Sequence, residues 1–321
     1  MEGLTIKILN LLGKERVPFL FIIDFEKKNP WICPLSEVDQ EKVLFDVNGI
    51  SNLKKHISCD KQLEFNVEAV EKSRYQKAFK LVNKHIKHGN SFLLNLTLPS
   101  KVKTNYSLKE IFYQSKAKYK LWFKDRFVVF SPETFIRING QTITSFPMKG
   151  TINASVANAR NQLLNSQKEL AEHHTIVDLI RNDLSMVAKN VKVERFQYID
   201  HIKTNRKQLL QMSSEISGEL PKNYHQNLGE IIYKMLPAGS VSGAPKSKTI
   251  EVIKEAEQYE RGFYTGVFGI FDGENIDSGV MIRFLEKTDD GLIYKSGGGI
   301  TAKSNCDEEY QELIDKIYIP V

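Results

Sequence analysis

The sequence predicts an α+β protein with a largely antiparallel sheet. Strand-like runs are interrupted by groups of helical ones, no strand–helix–strand alternation recurs, and Asn139-Gly140 supplies a hairpin turn between two short apolar runs. Taken in order, Val17–Ile23 is an apolar stretch stopped by Asp24, too short to span a bilayer and read as a buried strand. Ser73–His88 repeats apolar residues at helical spacing, and Gly89 marks its end. Ser91–Leu98 reads as a short strand, and Tyr119–Ile138 as two strands broken near Ser131-Pro132. Gln141–Phe146 returns from the Asn139-Gly140 turn and ends at Pro147. Ser166–Ala188 is a long helical stretch, with further helices at Gln226–Met235, Ala244–Ala256 and about Cys306–Ile317. Gly262–Phe271, Asn275–Glu286 and Gly291–Ser296 read as three strands with turns at Asp272-Gly273 and Asp290-Gly291.

Composition narrows the class of molecule. With 321 residues, 41% hydrophobic and 26% charged, the chain suits a globular protein with a substantial core. No linker or low-complexity run divides it, so residues 1–321 are expected to form one unit. The formal charge of +6 is spread among interleaved Asp and Glu, without the basic stripe a nucleic acid would need, and equally suits an enzyme that attracts a small dianion. No secretory signal is evident, and a cytoplasmic location is expected. Cys33, Cys59 and Cys306 lie at unrelated spacings and are expected to be free thiols.

Chemistry is suggested first by two carboxylate couples, Glu169 with Glu172 and Glu309 with Glu312, each on one face of a predicted helix. Converging, they would repel unless a cation sat among them, and hard oxygen ligands suit magnesium. Solvated faces with Lys168 and Lys316 nearby are the plainer alternative. Two glycine-containing segments add to the argument. Gly297-Gly298-Gly299 follows a strand and leaves backbone bare for a ligand, and Gly239–Lys246 opens a helix with Pro245 in its first turn and amides that favour an anion. Neither matches a phosphate-binding P-loop, so ATP is not implied.

The segments SPETF (131–135), FPMKGT (146–151), KELAEHHTIVDLIRNDL (168–184), LPAGSVSGAPKSKTIEVI (236–253), RGFYTGVFG (261–269) and KSGGGITAKSNCDEEYQELIDK (295–316) resemble the chorismate-utilising enzymes in both order and spacing. The resemblance covers residues from about 70 onward, leaving the first part of the chain as a shortened N-terminal portion of the same catalytic domain. It implies an antiparallel β-sandwich with flanking helices and a magnesium–chorismate site in a central cleft. It further implies Glu169 and Glu309 as direct metal ligands, with Glu172 and Glu312 holding metal-bound water. Tyr264 and Arg283 would meet the enolpyruvyl carboxylate, a task suited to a planar guanidinium fork. Gly297, Gly298 and Gly299 would supply backbone around the substrate, and Thr151, Ser242 and Gln211 complete the substrate-facing set.

Within that family, three positions resemble the aminodeoxychorismate synthase subgroup. Lys149 stands where anthranilate and isochorismate synthases usually have alanine, and its amine could attack ring carbon 2 as the 4-hydroxyl departs. Such an amine must be neutral, well below its ordinary pKa of about 10.4. Glu133 matches the residue assigned as general acid, which burial would keep protonated. Gln211 replaces a histidine associated with pyruvate elimination, and no lysine occurs in Phe92–Asn95 to activate water. Met148 and Thr301-Ala302-Lys303 depart from the usual pattern without removing a reactive group, and the tryptophan-binding segment of larger relatives is absent. Asp178, Arg181, Asn182 and Asp183 resemble the family's polar helix motif, to which a structural ion-pair role is assigned.

Ammonia would come from a separate glutamine amidotransferase subunit, since no glycine-flanked cysteine elbow occurs. The reading is therefore a magnesium-dependent conversion of chorismate and ammonia to 4-amino-4-deoxychorismate. Anthranilate synthase component I or isochorismate synthase is the alternative within the fold, and a non-catalytic homologue the alternative outside enzymes.

Overall fold

The computed structural model describes residues 1–53, 61–203 and 208–321. Cys59 lies outside the described residues, as does the side chain of Thr151. Cys33 and Cys306 are free thiols.

The chain opens with α1 (Glu2–Lys14), β1 (Phe19–Ile23), β2 (Trp31–Pro34), β3 (Val43–Val47), β4 (Ile50–Ser51) and β5 (Phe65–Glu68). Next come α2 (Lys72–Lys87), β6 (Leu93–Thr104), α3 (Leu108–Gln114), β7 (Tyr119–Phe123) and β8 (Phe127–Ser131). The middle holds β9 (Thr134–Asn139), β10 (Thr142–Ser145), β11 (Met148–Asn153), α4 (Ala159–Asn165) and α5 (Gln167–Ser185). A long hairpin, β12 (Lys189–Lys203) and β13 (Gln208–Glu219), precedes α6 (Leu228–Met235), β14 (Gly243–Ala244) and α7 (Lys246–Glu257). The chain closes with β15 (Val267–Phe271), β16 (Ile276–Val280), β17 (Phe284–Thr288), β18 (Gly291–Thr301) and α8 (Cys306–Asp315).

These strands form two sheets. One runs β11-β13-β10-β9-β16-β15-β1-β2 with β12 on β13, the other β14-β6-β18-β17-β8-β7-β3-β4 with β5 on β6. The expected α+β, antiparallel sandwich is what forms.

Side-chain alternation explains the layering. On β1, Phe19, Phe21 and Ile23 join a core shared with α1, α5 and α6, while Leu20 and Ile22 point into a second core between the sheets. On the opposing sheet, Phe45, Leu121, Val129 and Phe284 face that inter-sheet core, and Leu44, Trp122, Val128 and Leu285 pack outward against helices that include α2, α7 and α8. A strand covered on both faces carries apolar residues at every position, which is why Val17–Ile23 shows no alternation.

Two of the predicted runs cross between the sheets, the first at the break expected near Ser131-Pro132. Tyr119–Ile138 forms three strands: Lys124 and Asp125 take positive φ of 49° and 50° in a turn between β7 and β8, and Pro132-Glu133 carries the chain from β8 in one sheet to β9 in the other. Asn275–Glu286 splits likewise, because β16 and β17 belong to different sheets and Arg283, with φ of 53°, lies at the bend. Glu133 and Arg283 thus both occupy places where the chain passes between sheets. Pro245 sits just before α7 at the N-cap, one residue earlier than a first-turn proline.

Candidate active site

Each carboxylate couple is fixed by a capped helix. Ser166 caps α5 by accepting the amide of Glu169, and Asn305 caps α8 by accepting the amides of Asp307 and Glu308. Glu172 and Glu309 are buried, 6% and 1% exposed, while Glu169 and Glu312 are half-buried. Carboxylates that deep need compensation, so α5 and α8 are not solvated acidic faces.

Both helices reach the glycine run of β18. A Cβ on Gly298 would lie 3.2 Å from Glu312 Oε1 and 3.5 Å from Glu309 Oε2. One on Gly299 would lie 2.6 Å from Lys149 Nζ and 3.8 Å from Glu172 Oε2. The two couples thus come close to adjacent positions of the bare segment. β17 pairs only with Gly291–Lys295, whereas β6 continues along β18 to Thr301, so no strand pairing is found along the second edge of the glycine run among the described residues. No three described His, Cys, Asp or Glu side chains are already gathered into a group able to hold a metal. Magnesium commonly takes only one or two protein carboxylates and completes its shell with water and substrate, so these donors remain suited to it.

Lys149 is aimed by a β-bulge. Met148 pairs with Ser213 and Thr151 with Gln211, so β11 spends one more residue than β13 between those pairs. Gly150 takes φ of +79° within the bulge, and a Cβ there would lie 2.9 Å from Glu169 Oε2. The Lys149 Nζ lies 3.7 Å from Glu172 Oε2. Gln211 is half-buried on β13, beside the bulge and opposite Thr151.

Glu133 lies at its sheet crossing with its carboxyl accepting a hydrogen bond from the Ser240 hydroxyl. Burial pushes this carboxyl above the ordinary range, opposed by that hydrogen bond and by the fields of Lys149, Arg283 and Lys316. Tyr264 is buried, and burial raises its phenol while Arg283 and Glu133 both act on it. Glu133, Lys149, Tyr264, Arg283 and Lys316 therefore share one neighbourhood. The Arg283 guanidinium stands 5.2 Å from the centre of the Tyr318 ring, and its Nε has no hydrogen-bond partner among the described residues.

Ser242 has a different use. Its buried hydroxyl donates to the Ala238 carbonyl at 2.9 Å, and its own carbonyl accepts the amide of Asn95, the residue paired with Gly299. The side chain closes the loop internally.

Sequence reasoning did not single out Ser240, although it quoted the segment containing it. Nor did it assign a role to Lys316, whose Nζ donates to Glu312 Oε1 at 2.6 Å and to the Gly297 carbonyl at 3.0 Å. Arg261 was another omission. Fully buried, it pairs with Glu257 and donates to the carbonyls of Asn95 and Val241, tying β6 to the loop before α7. The structural assignment of Asp183 agrees with its ion pair to Lys246 at 2.8 Å, whereas Asp178 and Arg181 form an exposed pair one turn apart.

Known proteins share this sequence pattern and fold. The family described as chorismate binding enzyme matches residues 24–320. A PabA-like protein of Haemophilus influenzae is 50% identical over 315 residues, which span 97% of this chain and 95% of that protein. Aminodeoxychorismate synthase component 1 of Salmonella typhimurium is 36% identical over 202 residues, 58% of this chain and 42% of that protein. The fold is shared with MenF, the menaquinone-specific isochorismate synthase of Escherichia coli, at a TM-score of 0.73 and 14% identity, covering 96% of this chain and 79% of that one. No described helix is long and apolar enough to cross a membrane. The chain belongs to the family of chorismate binding enzymes.

Proposed function

We propose that this chain is the chorismate-aminating component of an aminodeoxychorismate synthase, working with ammonia delivered by a separate glutamine amidotransferase subunit. The observation that carries this reading is the bulge that points the Lys149 amine at the bare Cα of Gly299. An amine is a nucleophile, and the absence of a side chain on Gly299 lets it lie directly against β18.

In the proposed reaction the Lys149 amine bonds to ring carbon 2, the ring double bond shifts, and the bond from carbon 4 to oxygen breaks. Glu133 gives its proton to the departing hydroxyl, which leaves as water. Ammonia then bonds to carbon 4, the double bond shifts back, and Lys149 leaves as the free amine. Glu133 recovers a proton from the new ammonium group, so chorismate and ammonia become 4-amino-4-deoxychorismate and water. Arg283 and Tyr264 would hold the enolpyruvyl carboxylate, with the backbone of Gly297, Gly298 and Gly299 beside the ring. Glu169 and Glu309 would hold magnesium directly, with Glu172 and Glu312 supporting its bound water, and the ion when bound would supply positive charge to the ring carboxylate. Gln211 carries no group able to move a proton in pyruvate elimination, which favours amination without aromatisation.

The test incubates the chain with chorismate, magnesium and an ammonium salt, then adds aminodeoxychorismate lyase. 4-Aminobenzoate appearing only after the lyase supports the proposal. Anthranilate before lyase, isochorismate, or no turnover each contradict it.

A further inference from the structure

Glu133 has to give up a proton and take it back within one turnover, so its second carboxyl partner matters as much as its burial. That partner is the Ser240 hydroxyl, on the turn Gly239–Val241 between α6 and β14. The turn is held from several sides. Gly239 packs so closely on α5 that a Cβ there would lie 3.0 Å from Asp183 Oδ2 and 3.1 Å from the Leu179 side chain. Lys246 reaches both Asp183, at 2.8 Å, and the Met235 carbonyl, at 3.1 Å, closing the loop across its ends. Arg261 donates to the Val241 carbonyl at 2.7 Å. A hydroxyl on so constrained a turn is organised before substrate arrives.

We infer that Ser240 is a positioning residue for the acid–base step: its hydroxyl engages one oxygen of Glu133 and leaves the other for the reacting hydroxyl. This rests on the aminating reading of Glu133. Other charged and titratable groups also act there. Lys149 from β11, Arg283 from the β16–β17 bend and Lys316 after α8 favour the carboxylate, while Asp183 and Ser240 line the same small cavity as Glu133, and Tyr264 lies close by. Among these the Ser240 hydroxyl donates directly to a carboxyl oxygen of Glu133, stabilising the ionised form and balancing burial.

The experiment follows the protonated carboxyl band of Glu133 by difference infrared spectroscopy across pH on the full chain, with Glu133→Gln identifying the band. In Ser240→Ala the band should move to higher frequency and its titration midpoint should rise by about one pH unit, the shift corresponding to one lost hydrogen bond to a charged group. Ser240→Thr, which keeps the hydroxyl, should retain the wild-type midpoint. Ser240→Cys, a weaker donor, should shift it less and in the same direction, giving a second measurement if the alanine variant does not fold. The amination kcat of Ser240→Ala, read at fixed free ammonia, should fall while the chorismate KM holds. An unmoved band and midpoint in both the alanine and cysteine variants overturn the role of Ser240. A shifted band in a chain that never forms 4-amino-4-deoxychorismate keeps the hydrogen-bond role and removes the aminating reading.

Discussion

The bare Cα of Gly299 sets how near Lys149 can come to β18. A methyl group there would sit 2.6 Å from Nζ, so Gly299→Ala must displace the amine. A misplacement of this size costs about 100-fold in rate. Gly299→Ala should therefore retain the wild-type fold by circular dichroism yet lose about 100-fold in ammonia-dependent kcat, and near-normal turnover would contradict the placement of Lys149. Lys118 allows a separate test of electrostatics. Burial, then the nearby Arg137 charge, push its pKa from 10.5 down to about 8. Because the folded value lies below the unfolded one, the unfolded chain holds more protons between those values, and stability from this group rises with pH through that window. Lys118→Met should accordingly be more stable at pH 7 by about 1–2 kcal/mol, after allowance for partial solvent screening. Its advantage should shrink as pH approaches 10.5, read by urea denaturation at several pH values. At this scale the sequence was most informative: Lys149, Glu133 and the Glu couples have distinctive chemistry inside recognisable motifs. The bulge behind Lys149 was not legible, since an extra residue is defined only against the register of β13, a distant partner.

At the scale of elements, the loop joining α6 to α7 is tied to α5 by an ion pair. Asp183 is buried on α5 and Lys246 begins α7, so Asp183→Ala leaves a half-buried ammonium without its carboxylate. Loss of one partner of such a pair should cost about 3 kcal/mol, measured by urea denaturation. A loss below about 0.5 kcal/mol, the usual range for a surface substitution, would show that the pair does not secure the loop. The elements that escaped sequence reading did so for physical reasons. α1 buries Thr5, Leu9 and Gly13 and exposes Leu4, Ile8 and Leu11, so its apolar stripe is not its packed face. The β12–β13 hairpin hides for another reason. β12 is an edge strand in which Val191 and Val193 alternate with exposed polar residues only as far as Glu194, and register shifts interrupt the pattern beyond it. By contrast, α2 displays a buried stripe of Tyr75, Ala78, Phe79, Val82 and Ile86, which its sequence period announces.

At the scale of the molecule, residues near position 170 and near position 310 meet at the glycine run of β18, because α8 packs on that strand and α5 packs on β11, whose Lys149 reaches it. The first 51 residues contribute β1 and β2 to one sheet and β3 and β4 to the other. Their work is packing, which leaves a hydrophobic pattern and no catalytic motif. If α5 and α8 share a divalent ion, magnesium must stabilise the folded chain by mass action. The melting temperature should rise with added magnesium, and Glu169→Gln combined with Glu309→Gln should abolish the rise without involving turnover. A magnesium response unchanged in that double variant would exclude these carboxylates as the binding site.

The central claim is that Lys149 bonds to the substrate, and intact-protein mass spectrometry of the chain with chorismate and magnesium, without ammonia, addresses it directly. The predicted result is a species heavier by chorismate less one water, localised to Lys149 by peptide mapping and discharged as 4-amino-4-deoxychorismate when ammonium is added. An unmodified Lys149 in a preparation that turns chorismate over would contradict it.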